Sequence, residues 1–274
     1  MKQPDNSAKI RAEASGNLQS EKPEVVSAPK DPGRLTITVV FNNISNNDNL
    51  KSAWGFAAWI EDNEGAVLFD SGSDGNILLD NITAAGLDLT RLHTMVISHE
   101  HWDHVNGLPV ITSKLRRQLS VFVPAGIEQK IRDLIPGADI IPVTAPQCIT
   151  GSIWTTGPLT ASHKGDKLFE QALLISKEGK SYIITGCSHP GIEQVVAEAK
   201  NHFPGNEIAL VAGGFHMDGQ SEQDIRKVIE KLSAMNVRHV APSHCTGEKA
   251  IKLFSETWKD DFIQLSLGES YTTE

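Results

Sequence analysis

A short apolar run at residues 93–98 (HTMVIS) leads without a break into His99-Glu100-His101-Trp102-Asp103-His104, and helical periodicity resumes near Val105. Any fold of this chain must therefore present a strand end, a tight turn and a helix start, with a cluster of imidazoles and a carboxylate packed between them. His99 and His101 are two apart, so in extended backbone they project to one side. Asp103 and His104 follow the turn and face a different point. One loop can thus supply two ligands to each of two metal ions. Imidazole nitrogen and carboxylate oxygen suit zinc, iron or manganese.

The flanking sequence supports a layered architecture. Residues 35–42 (LTITVVFN) are β-branched and short, as in a strand, and 53–60 and 65–70 read as two more with a turn at 63–65. A helix is expected over 76–85, helical periodicity over 105–116 and 126–135, and strands over 120–123 and 139–143. The second half repeats the theme. A strand at 182–186 runs into Cys187-Ser188-His189-Pro190-Gly191, and the helix after it turns Ile192, Val195, Val196 and Ala199 to one face. A strand at 207–212 ends at Gly213-Gly214-Phe215-His216. Ser221 opens a helix as N-cap, with Asp224 in the reciprocal position of a capping box. A strand at 238–241 delivers Pro242-Ser243-His244-Cys245, and a last helix carries Ala250, Leu253, Phe254 and Trp258 inward. Two halves, each of strands then helices, predict an α/β fold with two sheets face to face and helices outside.

Composition narrows the classes of function. Residues 1–34 are polar and rich in Lys, Glu, Ser and Pro, so they are expected to form a disordered tail before one domain at 35–274. A net charge of -9 disfavours nucleic-acid binding and leaves a small molecule as the expected partner. The three cysteines, Cys148, Cys187 and Cys245, form no disulfide framework. No apolar run reaches the ~18 residues of a membrane span, and the N-terminus lacks a signal-peptide core. A cytoplasmic protein without membrane partners is the expectation, with an exported form that has lost its leader as the alternative.

The H-x-H-x-D-H loop resembles the signature of the metallo-β-lactamase superfamily, and the resemblance spans roughly 35–268. It implies a four-layer αββα sandwich. It also implies zinc as the expected metal, at one or two ions per chain, with iron or manganese as alternatives. By that resemblance Leu68-Phe69-Asp70-Ser71-Gly72 is the strand ending in Asp-x-Gly, whose Asp70 orients the metal loop; a plain turn-forming aspartate is the other reading. Cys187, in Thr185-Gly186-Cys187, stands where many members have a bridging aspartate, as a ligand or as an inert buried thiol. His189 and His244 take the positions of the later histidine ligands. His163 lies where some relatives supply a ligand, in a segment that reads as flexible and polar. Cys245 reads as structural, and Asn43 as a residue that could line the pocket. Ala53-Trp54-Gly55-Phe56, 186–192, Gly214-Phe215-His216 and His244-Cys245-Thr246-Gly247 resemble the subfamily of metal-dependent hydrolases, β-lactamase superfamily II, that includes dihydropterin-ribofuranosylaminobenzene-phosphate synthases.

The resemblance implies metal-assisted hydrolysis of a small ester, lactone or phosphate-containing substrate. His99, His101 and His189 would hold one metal. Asp103, His104 and His244 would hold the other. Asp103 also serves as a catalytic residue orienting the nucleophile, and His216 contacts substrate or protonates the leaving group, unless it is only a strand-end histidine bonded to backbone. A synthase or transferase on a phosphorylated pterin-like or ribosyl substrate is the second reading, and a non-enzymatic metal-binding module the third.

Overall fold

The computed structural model describes residues 33–115 and 117–273. The polar tail expected over 1–34 lies outside them, apart from Gly33 and Arg34. The strands are β1 (Thr36–Asn42), β2 (Phe56–Glu61), β3 (Ala66–Phe69), β4 (Leu92–Val96), β5 (Ser120–Pro124), β6 (Asp139–Val143), β7 (Gln147–Thr150), β8 (Ile153–Thr155), β9 (Leu159–His163), β10 (Asp166–Glu170), β11 (Leu173–Lys177), β12 (Lys180–Thr185), β13 (Glu207–Gly214), β14 (His239–Ser243) and β15 (Ser270–Thr272). The helices are α1 (Gly75–Ala84), α2 (Trp102–Val105), α3 (Leu108–Lys114), α4 (Glu128–Leu134), α5 (Ile192–His202), α6 (Glu222–Ala234) and α7 (Glu248–Trp258). No described helix is long and apolar enough to cross a membrane.

A seven-stranded sheet in the order β15-β1-β2-β3-β4-β5-β6 faces a six-stranded sheet in the order β14-β13-β12-β11-β8-β7. Most of these strands are buried on both faces, which is why their sequences read as near-continuous apolar runs. In β2 the side chains alternate: Phe56, Ala58 and Ile60 enter the core between the sheets, while Ala57 and Trp59 meet the helices outside. The inner core joins Ile37, Val67 and Phe69 of the first sheet to Leu173, Ile184 and Leu210 of the second. One outer core packs β1–β5 against α1, α3 and α4, and the other packs β11–β14 against α5, α6 and α7. This is the four-layer αββα sandwich.

Three local expectations differ in detail. The helical periodicity expected over 105–116 is divided between α2 and α3, because Gly107 N–H leaves the helical ladder to bond Gly72 O at 3.2 Å, so close to the neighbouring segment that a Cβ at 107 would run into the Ser71 carbonyl. At α6 the Ser221 hydroxyl accepts from Asp224 N–H as expected, but Asp224 bonds the Ser221 hydroxyl rather than its backbone N–H. The segment at 159–170 is an ordered hairpin, β9–β10, closed by Lys164 and Gly165 in left-handed backbone. Two such residues make a tight hairpin turn, and a Lys-Gly pair signals it more weakly than Asn-Gly.

The strands that carry chemistry are parallel: β3, β4, β5 and β6 in one sheet and β12, β13 and β14 in the other. Their carboxyl ends point the same way, and in open α/β sheets the crevice beyond those ends is where ligands bind.

Candidate metal centre

Asp70 follows β3 immediately, in left-handed backbone at φ 59°. Fully buried, its Oδ1 accepts from Ser98 N–H at 2.7 Å, and its Oδ2 accepts from the Ser98 hydroxyl and His104 Nδ1, both at 2.7 Å. Having donated to Asp70, the Ser98 hydroxyl is left to accept from His99 Nδ1 at 2.8 Å. One carboxylate therefore orients two imidazoles through their outer nitrogens. Ser71 pins the loop further, its backbone N–H and hydroxyl donating to His104 O at 2.8 and 2.9 Å.

A second carboxylate does the same for the other half. Glu170, buried at the end of β10, accepts from Cys187 N–H and Ser188 N–H through Oε1, both at 2.8 Å. Its Oε2 accepts from His189 N–H at 2.7 Å and His189 Nδ1 at 2.8 Å. Sequence reading missed this residue. Its signal was a charge and an amide, Glu170-Gln171, interrupting the apolar stretch 168–175. Gln171 then joins the halves, donating from its backbone to Ser98 O and from Nε2 to Ile97 O, both at 2.9 Å.

Asn43, just past β1, accepts from His244 Nδ1 at 2.8 Å through Oδ1. So it holds a histidine from behind rather than only lining a pocket. His244 Nε2 is buried with no hydrogen-bond partner, 3.4 Å from Asp103 Oδ2. Cys187 Sγ lies 3.2 Å from His104 Nε2, and His99 Nε2 lies 3.0 Å from His101 Nδ1. Gly186 is required where the two sheets' strand ends meet, since a Cβ there would strike the Ser98 hydroxyl and the Asp70 carboxylate.

The donor atoms of His99, Cys187 and His189 lie within 4.8 Å of one another, as do those of His104, Cys187 and His244, and those of His101, His163 and His189. The structure thus gathers His99, His101, Asp103, His104, Cys187, His189 and His244 at one place. It adds His163, carried on the hairpin with its ring 4.7 Å from that of His101. His216 stands at the edge, exposed, with its ring 4.3 Å from His189. Ser188, His216 and His244, like Asp70, have positive φ (59°, 49° and 52°). Such backbone costs about 1–3 kcal/mol per residue and clusters at functional sites. His93, His202 and His239 lie outside these groupings.

Electrostatics reinforce the geometry. Burial and neighbouring imidazoles hold His99 well below its usual range and bring His101 to about 4. Burial also works against a charge on His104, yet the Asp70 carboxylate outweighs it and raises that group to about 9. Burial favours a neutral Asp103, but His244 and His104 hold its carboxyl well below the usual range. Burial likewise opposes ionised Glu170, and His189 with the backbone donors overcomes it. Burial pushes the Cys187 thiol well up. His216 is raised, chiefly by its hydrogen bond with Cys245. Buried carboxylates that draw a proton onto His104 mark a place where positive charge is favoured. A divalent cation fits: outer nitrogens are tied to Asp70, Glu170, Asn43 and Ser98, and the orphaned His244 Nε2 faces inward. Metal-binding histidines are held this way by partners behind them.

Comparison with known proteins agrees. Residues 55–118, which contain the histidine loop, match the family model of the metallo-beta-lactamase superfamily. An uncharacterised protein of Methanocaldococcus jannaschii, MJ0448, is 28% identical over 244 residues, 78% of this chain and 91% of that one. The 7,8-dihydropterin-6-methyl-4-(beta-D-ribofuranosyl)-aminobenzene-5'-phosphate synthase of the same organism is 24% identical over 245 residues, 74% of this chain and 83% of that one. The crystal structure of Tm1679, a metal-dependent hydrolase of the beta-lactamase superfamily, superposes with a TM-score of 0.71 at 23% identity, covering 88% of this chain and 98% of that one. The αββα sandwich with the H-x-H-x-D-H loop at its strand ends thus has the metallo-β-lactamase fold, and the chain is similar in sequence to members of that superfamily.

Proposed function

We propose that the chain is a metal-dependent hydrolase acting on a small ester, lactone or phosphate-containing substrate. The observation that carries this is the set of imidazoles tied outward through Nδ1, which leaves the inner nitrogens beside Cys187 and an ionised Asp103. His99, His101 and His189 would hold one cation, and Asp103, His104 and His244 the other, with Cys187 between them. Zinc is the expected metal, given imidazole and thiol donors. When bound, such a cation supplies Lewis acidity, polarising an electrophile and making water nucleophilic at neutral pH.

The chain's own residues then do the rest. Asp103 accepts a hydrogen bond from the attacking water and fixes its direction. His216, exposed at the edge with a raised pKa, donates a proton to the leaving group. Trp54, its ring 5.1 Å from His244, and Trp102, within the histidine loop, are large apolar side chains left 45% and 55% exposed. They give an apolar part of the substrate a surface to rest on. The substrate is a small molecule rather than nucleic acid, in keeping with the acidic chain, and the setting is cytoplasmic.

The similarity to a named synthase supports a second reading, condensation on a phosphorylated pterin-like or ribosyl substrate at the same residues. Turnover in isotopically labelled water separates the two. Label in the product supports hydrolysis, whereas an unlabelled condensation product means the hydrolase reading is wrong. Inactivity of fully metal-loaded protein on esters, lactones, phosphodiesters and pterin phosphates would instead leave a metal-binding module.

A further inference from the structure

Cys187 belongs to a further group of donors besides the two histidine sets. Its Sγ, a ring nitrogen of His216 and Cys245 Sγ also lie within 4.8 Å of one another. Both thiols are buried, and His216 opens to solvent. All three stand on backbone fixed by the fold. Cys245 Sγ donates to Cys187 O at 3.7 Å. Gly214 keeps the space between the strands clear, since a Cβ there would come 2.7 Å from Cys245 Sγ. The left-handed turn at His216 is held over Cys245, whose carbonyl accepts from Met217 and Asp218 N–H, both at 3.2 Å, while Thr246 Oγ1 accepts from Phe215 N–H at 3.0 Å.

Two thiols and one imidazole make a softer donor set than the histidines and carboxylate next to it. Such a set selects zinc, copper(I) or cadmium over manganese or magnesium. Two buried cysteines alone could be small apolar filler, but filler gives no reason for an imidazole to turn back onto them.

We propose that Cys187, His216 and Cys245 form an additional position for a thiophilic cation beside the histidine centre. Binding there releases to solvent whatever protons the two sulfurs and the His216 ring hold, since all three ligate deprotonated. It also withdraws His216 from proton donation and Cys187 from the histidine sets, so a filled position inhibits. The proposal rests on the metal-centre reading only for that inhibition; the donor set stands without it.

The test uses the full chain, reduced, in a Cys148→Ser background that removes the exposed thiol. The protein is loaded with two equivalents of zinc per chain, enough for the histidine centre alone, and then titrated with cadmium. Bound metal is counted by equilibrium dialysis, and thiolate-to-cadmium charge transfer is followed in the ultraviolet. The expected result is one further equivalent with a charge-transfer band. Cys245→Ser should lose part of that band, and both it and His216→Asn should weaken the equivalent by about tenfold or more with zinc retained. Asn tolerates the left-handed backbone at 216, so the second variant stays informative if the first misfolds. A band and affinity unchanged in either variant overturn the proposal. If zinc fails to load but cadmium still binds through Cys245 and His216, the histidine-centre reading falls and this one stands.

Discussion

The two halves of the sandwich reach the same centre by different means. The first half delivers His99, His101, Asp103 and His104 from one six-residue run after β4, a loop that passes straight into α2, steadied by Asp70. The second half delivers Cys187 and His189, then His216, then His244 from the ends of three separate strands, steadied by Glu170 and by Asn43 of the opposite sheet. Where ligands share a loop, local sequence dictates their geometry. Where they sit on different strands, only the register of the sheet does. Asp70 and Glu170 are nonetheless the same device used twice: a buried carboxylate at one strand end that fixes both the backbone and an imidazole of a neighbouring loop.

The largest expected effect tests the catalytic role given to the loop. Asp103→Ala should lower turnover by about 10²–10⁴-fold, the usual range for a positioned acid–base group, while the Michaelis constant moves little. Steady-state kinetics on metal-saturated protein decide this; turnover near the wild-type value refutes the role. Next come the paired carboxylates. Asp70→Asn and Glu170→Gln should each weaken metal binding by about 10–100-fold, since partners behind a ligand histidine typically contribute that much. Competition with a chromophoric chelator measures both. If Asp70→Asn alone has an effect, the likeness between the halves is only geometric.

A smaller effect follows from protonation in metal-free protein. His104 is raised to about 9 in the folded state, against about 6.5 unfolded. The stability it contributes is fully present below about pH 6.5 and is lost as pH rises through about 9. His99 and His101 have lowered values, so they cost stability as pH falls below about 6.5. Chelator-treated protein should therefore be most resistant to urea near that pH. A metal ion replaces the proton at His104, so loaded protein should show no such decline toward pH 9. The smallest effect concerns the rim. Trp54→Ala should raise the Michaelis constant by up to about tenfold, consistent with the ~0.5–1.5 kcal/mol of an aromatic contact, with turnover kept.

What the sequence disclosed follows the same division. The αββα layering was legible because doubly buried strands and one-sided helices leave different apolar patterns, as β2 and α5 do. The first-half ligands were legible because six consecutive residues carry them. Cys187, His189 and His244 could be singled out only through resemblance, because nothing local ties a strand-end residue to a partner 83 or more positions away. His163 was singled out only through resemblance, in a segment that read as flexible because the β9–β10 hairpin has a weak turn signal, and Glu170 escaped because a lone glutamate reads as surface until the fold buries it.

The most direct measurement is metal content per chain, by elemental analysis of untagged protein purified without chelators. The account predicts about two zinc, iron or manganese ions, lost to a chelator, restored on reloading, and reduced in both His104→Ala and His189→Ala. A chain that holds no ion and takes none up on reloading would contradict the account at its centre.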